Sequence, residues 1–274
     1  MSYEVGFIGA GQMGEPMVHR LLDAGVRVRV FVRDENVGDR LRAHGATLAS
    51  SLVELARESD IVICCMFSDA QLVDVALTVD GIVSNMKPGA VFVSHTTGSV
   101  DTLHRIADEG RERGISVLDA PVSGTAADIA EGGLTIMLGG DEASTQRVNP
   151  ILASYGNPIL LTGPLGSALN VKLVNNLLFA ANLQLVADAV RLGAAMDIDS
   201  NALLRAIAHC SGSSEAVRRA VDAGGVEAFA DIAKPFLRKD IAVCTEVARE
   251  TGTDTGLIGR VAAEGLIDLT TVAN

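Results

Sequence analysis

The chain has 274 residues, enough for one large or two moderate domains, and 48% are hydrophobic, enough for a substantial core. The formal net charge of −12 argues against nucleic acid and anionic membrane surfaces as partners, since both need a basic footprint, and an anionic ligand must be drawn in by local positive charge. Aromatic residues are 3% and Trp is absent, so Ala, Val, Leu and Gly fill the interior, which suits α/β layers and close helix packing.

An apolar run at 4–8 leads directly into Gly9-Ala10-Gly11-Gln12-Met13-Gly14. A helical pattern over 12–24 follows, then a second strand over 26–32. In this strand–turn–helix–strand setting G-x-G-x-x-G builds a dinucleotide pyrophosphate site. Gly9 permits the tight turn, Gly11 lets the backbone approach the phosphates, and Gly14 lets the helix pack on its strand. The helix N-terminus, with Gln12 and Met13 beside it, supplies free N–H donors. Arg33 closes the second strand, 19 residues after Gly14. An acidic residue near this spacing takes the ribose 2′-hydroxyl of NAD, whereas an Arg accommodates the 2′-phosphate of NADP. Arg33 favours NADP; Asp34, immediately after it, keeps NAD as the alternative.

Further strands are expected at 61–66, 90–95, 116–119, 134–138 and 158–161, with helices at 37–43, 51–58, 70–77 and 100–113. This alternation implies a parallel sheet covered on both faces, with ligand beyond the strands' carboxyl ends. Cys64 and Cys65 fall in an apolar strand, and with Cys210 and Cys244 they show no zinc spacing. They read as small buried hydrophobes in a reducing cytosol. No signal peptide and no unbroken apolar run of about 18 residues is evident, so a cytoplasmic protein without a membrane span is expected.

From Gly163 the strand pattern stops. A long helical stretch covers about 167–196, and further helices are expected at 200–208, 214–221, 232–250 and 254–268. The fold class is therefore α/β: a Rossmann-type doubly wound domain over 1–162, joined by a long helix to an all-helical domain over 163–274. A helix of 30 residues spans about 45 Å and needs packing along all of it. A homodimer, or a homotetramer, is the expected assembly.

Three more segments carry chemistry. Asp119-Ala120-Pro121-Val122-Ser123-Gly124-Thr125 follows a strand and exposes backbone N–H groups that can cradle a carboxylate; a simple turn is the other reading. Lys172 and Asn176, at i and i+4 early in the long helix, share a face, with Val171, Val174 and Leu178 on another. A lysine and an amide near the inter-domain crevice can form an acid and a substrate-orienting hydrogen bond, since a desolvated lysine can titrate near about 7–8; a solvated helix face is the alternative. Lys239-Asp240 is either a surface charge pair or a cation on the nicotinamide side.

In register, Phe7 to Met17, Asp119 to Gly124, Gly166 through Lys172 to Asn176, and Lys239-Asp240 resemble the four motifs of the β-hydroxyacid dehydrogenase family. That family includes 3-hydroxyisobutyrate dehydrogenases, tartronate semialdehyde reductases and succinic semialdehyde reductases, and is related to 6-phosphogluconate dehydrogenase. The resemblance implies an NAD(P)-dependent oxidoreductase interconverting a small β-hydroxyacid and its semialdehyde or keto form. Lys172 would be the catalytic acid/base. Ser123, Gly124 and Thr125 would hold the substrate carboxylate, and Asn176 would orient the reacting hydroxyl. Met66 and Phe67 would line the cofactor cleft, Thr96 would lie by the nicotinamide ribose, and Lys239 beside the nicotinamide. An imine reductase and a catalytically silent dinucleotide-binding protein are the rival readings; Lys172 argues against the first, and Lys172 with Asn176 against the second. Three departures bear on substrate identity: Thr125 stands where the family commonly has Gly, His95 precedes Thr96 where Ser is common, and the segment after Thr255 is short and lacks a common Pro. His95 is either a packed strand-end residue or an extra polar group in the cleft.

Overall fold

The computed structural model describes residues 3–270. The chain forms two compact units that divide between Lys172 and Leu173.

In the first unit, nine strands among the described residues form one sheet: β1 (Glu4–Ile8), β2 (Arg27–Phe31), β3 (Thr47–Leu48), β4 (Ile61–Cys64), β5 (Val91–Ser94), β6 (Ser116–Asp119), β7 (Val122–Ser123), β8 (Leu134–Gly139) and β9 (Gly156–Gly163). Their order is β3-β2-β1-β4-β5-β6-β8-β7, with β9 beside β8. From β3 to β6 every pairing is parallel. This is the doubly wound order whose ligands lie beyond the strand ends where the order reverses, between β1 and β4. The sheet is parallel as expected except at its far edge, where β8 runs antiparallel to β6 and β7. The connection from β6 to β8 holds β7 and a five-residue helix and returns the chain beside β6 as an antiparallel neighbour.

Among the described residues, seven α-helices belong to this unit: α1 (Gly14–Asp23), α2 (Glu35–Ala43), α3 (Leu52–Glu58), α4 (Asp69–Ala76), α5 (Val100–Gly110), α6 (Ala126–Ala130) and α7 (Glu142–Leu152). Alternate strand residues face opposite sides, as the two-residue period of a strand demands. Val5, Phe7, Ile61, Ile63, Val91, Val93 and Leu118 pack with Met17 and Leu21 of α1, Leu41 of α2 and Leu152 of α7. Ile8, Val62, Cys64, Phe92 and Val117 pack with Leu55 of α3, Leu72 of α4 and Ile106 of α5. Burial on both faces explains why these strands read as continuous apolar runs rather than alternating ones.

The second unit is helical. It holds most of α8 (Ser167–Ala194), then α9 (Ser200–Ala208), α10 (Glu215–Asp222), α11 (Val226–Glu250) and α12 (Gly256–Glu264). α11 starts six residues before its expected start at 232, with Pro235 inside it. α8 is long and apolar enough to cross a membrane by length and composition. Its buried amides mark it as protein-packed. Gln184, 2% exposed, donates from Nε2 to the carbonyls of Ala262 and Ile267 at 3.0 and 2.6 Å, and its Oε1 accepts from the Ile267 N–H at 2.9 Å.

Candidate active site

The glycine loop is built by close contacts that side chains would prevent. Gly9 has φ +90°, and a Cβ there would lie 2.1 Å from the Cys65 carbonyl oxygen. A Cβ on Gly14 would lie 2.1 Å from the Gly9 carbonyl, which holds the start of α1 against the end of β1. Gly11 is different: a Cβ there would meet nothing within 4 Å, so its backbone faces open space. Gln12 is exposed, Met13 is half-buried, and no side chain caps the N-terminus of α1. The loop therefore keeps free N–H groups and an open approach, which fits a dinucleotide pyrophosphate.

The ends of the neighbouring strands carry the other expected residues. Arg33 is exposed just beyond β2. Asp34 caps α2, its carboxylate accepting the Asn36 N–H at 2.9 Å. Beyond β4, the Met66 N–H donates to Thr96 Oγ1 at 3.1 Å, and the Phe67 N–H donates to Gln71 Oε1 at 3.1 Å. Phe67 is 51% exposed and Thr96 is 3% exposed. Thus Gly9, Arg33, Met66 and Thr96 lie just beyond the carboxyl ends of four adjacent strands, β1, β2, β4 and β5, whereas Ser123 ends β7 at the far edge of the same sheet.

His95 is a packed strand-end residue, 4% exposed. Its Nδ1 lies 2.5 Å from the Ala120 carbonyl and its Nε2 lies 2.8 Å from the Tyr155 hydroxyl. A carbonyl only accepts, so Nδ1 carries the proton and Nε2 accepts from Tyr155. Burial pushes the His95 pKa down to about 4. The unfolded chain, titrating near about 6.5, therefore takes up this proton first. The stability it contributes is complete above about pH 6.5 and is lost as pH falls towards 4, by about 3 kcal/mol. Urea midpoints at pH 7 and pH 4.5 should separate more for the native protein than for His95→Gln.

The 119–125 segment is held at both ends. Asp119, 1% exposed, accepts the N–H of Gly166 at 2.9 Å and of Leu169 at 2.8 Å, so a carboxylate at the end of β6 caps the start of α8. Ser123 pairs with Thr135 in the β7–β8 ladder, and Gly124 has φ +140°. Thr125 is the N-cap of α6 in a capping box with Asp128. Its N–H and its hydroxyl both donate to Asp128 Oδ2, at 2.6 and 2.7 Å. Both of its donors are thus used within the loop.

Lys172 is half-buried on α8, one turn before Asn176. In the second unit, Asn176 is 8% exposed and Asp240 is 5% exposed. The Asn176 Nδ2 group donates to Asp240 Oδ2, and its Oδ1 accepts from Asn175 Nδ2 at 3.0 Å. Lys239 Nζ lies 2.8 Å from the other Asp240 oxygen, at ion-pair distance but off the line of a hydrogen bond. The Lys239-Asp240 pair is therefore not a solvated charge pair. Asp240 fixes the orientation of the Asn176 amide. Reading along the chain missed this role, because the two residues are 64 positions apart. Burial pushes the Cys65 thiol up to about 12 and the Cys64 thiol further, so neither is a nucleophile at neutral pH.

The doubly wound sheet, glycine loop and following helical unit define a Rossmann dinucleotide-binding protein with a helical second domain. Residues 4–163 match the NAD-binding domain of 6-phosphogluconate dehydrogenase, and residues 166–266 match the NAD-binding domain of NADP-dependent 3-hydroxyisobutyrate dehydrogenase. The chain is 30% identical to an NAD-dependent L-serine dehydrogenase of Pseudomonas aeruginosa over 92% of its own length and 87% of the relative's. It is 32% identical to a 2-(hydroxymethyl)glutarate dehydrogenase of Eubacterium barkeri, over 91% and 83%. A Mycobacterium tuberculosis 3-hydroxyisobutyrate dehydrogenase solved with L-serine superposes with a TM-score of 0.83 at 27% identity, covering 96% of this chain and 92% of that one. The chain belongs to the β-hydroxyacid dehydrogenase family. It is an NAD(P)-dependent hydroxyacid dehydrogenase, an oxidoreductase acting on a CH–OH group.

Proposed function

We propose that this enzyme interconverts a small β-hydroxyacid and its semialdehyde, prefers NADP, and uses Lys172 as its general acid/base. The observation that carries this reading is that Lys172 stands one helical turn before Asn176, whose amide is oriented by buried Asp240. When bound, the nicotinamide dinucleotide takes or gives the hydride. Lys172 Nζ takes the hydroxyl proton as the alcohol is oxidised and returns it as the carbonyl is reduced. Asn176 orients the reacting oxygen, and Lys239 is assigned to the nicotinamide. Ser123, the last residue of β7, and Gly124 after it hold the substrate carboxylate by hydrogen bonds. Met66, Phe67 and Thr96 line the cofactor cleft.

The NADP preference is supported by the division of labour at the end of β2. Asp34 is committed to capping α2, whereas Arg33 extends into solvent. Arg33→Ala is expected to weaken NADP binding at least about tenfold and NAD binding by less than about twofold. Equal loss on both, measured by titrating each dinucleotide, sinks the 2′-phosphate reading. A panel of small 3-hydroxyacids and semialdehydes, assayed by nicotinamide absorbance with both dinucleotides, tests the reaction class. Turnover confined to cyclic imines, or cofactor binding with no turnover, would favour one of the rival readings.

The protein works as a homodimer or homotetramer in the cytoplasm. Val171, Val174, Leu178, Leu185 and Leu192 form an apolar stripe along α8 and are each 46–59% exposed, a face that a second copy would cover.

A further inference from the structure

We infer that Asp128 is a specificity-determining residue, which limits how strongly the loop over 123–125 holds a substrate carboxylate. This rests on the reading of that loop as the carboxylate site. Asp128 is an internal carboxylate already seated on the loop. Its Oδ2 accepts both the Thr125 N–H at 2.6 Å and the Thr125 hydroxyl at 2.7 Å. A Cβ built on Gly124 would lie 3.0 Å from the same oxygen, so the charge stands directly against the Gly124 backbone.

Two consequences follow from the chemistry of that contact. First, a loop that can offer a ligand the donors of Ser123, Gly124 and Thr125 keeps those of Thr125 for itself. Second, an incoming carboxylate meets a like charge a few ångströms away, which disfavours it. A neutral group of the same shape meets only the first of these effects, and weakly. The loop is thereby tuned towards a substrate end of low negative charge and against one carrying extra anionic groups.

The test is calorimetric binding of 3-hydroxypropionate and of its neutral analogue 3-hydroxypropanamide to the full chain saturated with reduced dinucleotide, where no turnover occurs. Asp128→Asn keeps an oxygen to accept from Thr125 while removing the charge. It is expected to tighten 3-hydroxypropionate binding at least about fivefold and to change amide binding by less than about twofold. Asp128→Ser, with a side chain too short to reach both donors, should act in the same direction should the Asn variant fold poorly. An unchanged carboxylate affinity, an equal change for both ligands, or no measurable 3-hydroxypropionate binding in either variant overturns the inference. Ser123→Ala separates the two levels of the argument. If it weakens carboxylate binding while the Asp128 variants leave it unmoved, the loop reading survives and the Asp128 inference fails. If neither Ser123→Ala nor Gly124→Ala, which disturbs the backbone donors at a position of φ +140°, moves carboxylate binding, the loop reading fails and takes this inference with it.

Discussion

Lys172→Ala is expected to lower kcat at least about a hundredfold while leaving dinucleotide affinity within about twofold. The expectation follows from what each part of the first unit does. In the proposed reading the pyrophosphate loop, Arg33 and the strand-end residues Met66 and Thr96 would hold the cofactor without help from α8. The proton on the reacting oxygen is a separate problem, and hydride transfer cannot be completed until a group takes or supplies it. Lys172→Arg should be as damaging as the alanine variant, because a guanidinium keeps its charge but does not give up a proton near neutral pH. Steady-state turnover together with dinucleotide titration decides the matter. Turnover surviving in both variants would remove the general-acid assignment, and partial rescue of the alanine variant by added small amines would strengthen it.

The second large effect is expected at Asp119. Its carboxylate is 1% exposed and accepts two N–H groups of the α8 start, those of Gly166 and Leu169. Truncation to Ala leaves both donors buried without an acceptor and removes a negative charge from a helix N-terminus. Together these should cost about 3 kcal/mol, which lowers Tm by roughly 6–12 °C. Asp119→Asn should lie between, since its amide can accept one of the two bonds and presents N–H to the other donor. The effect should also reach catalysis, because Leu169 is three residues before Lys172 on the same helix. A fall in kcat larger than any change in dinucleotide affinity, in Asp119→Asn protein shown to be folded, is the expected signature. A drop in Tm with kcat intact would confine Asp119 to a structural role. The carboxylate also explains Gly139, where a Cβ would lie 2.5 Å from Asp119 Oδ1.

Much of the first unit was legible because its signals are local. The glycine loop is six consecutive residues whose conformation depends mainly on one another and on the strand beside them. The buried parallel strands announce themselves as apolar runs. Other elements were not legible. α7 lacks a strong apolar period and holds Pro150 near its end, so reading the sequence passed over it. β3 and β7 are two residues each, held by their neighbours rather than by their own propensity. The capping box of Thr125 and Asp128 has a recognisable spacing and could have been read from it. Its spacing would have warned that Thr125 serves α6 first.

The alternation of the longer strands and helices, the pyrophosphate loop, and the placing of Lys172 and Asn176 on one helical face were determined by the sequence itself, since each rests on neighbours within one or two turns. Only the tertiary structure decided that β8 runs antiparallel to β6, that Asp119 caps a helix 47 residues away, and that Asp240 orients Asn176 across 64 residues. Local periodicity specifies which face of an element is polar. It carries no information about which distant polar group will satisfy that face once water is excluded.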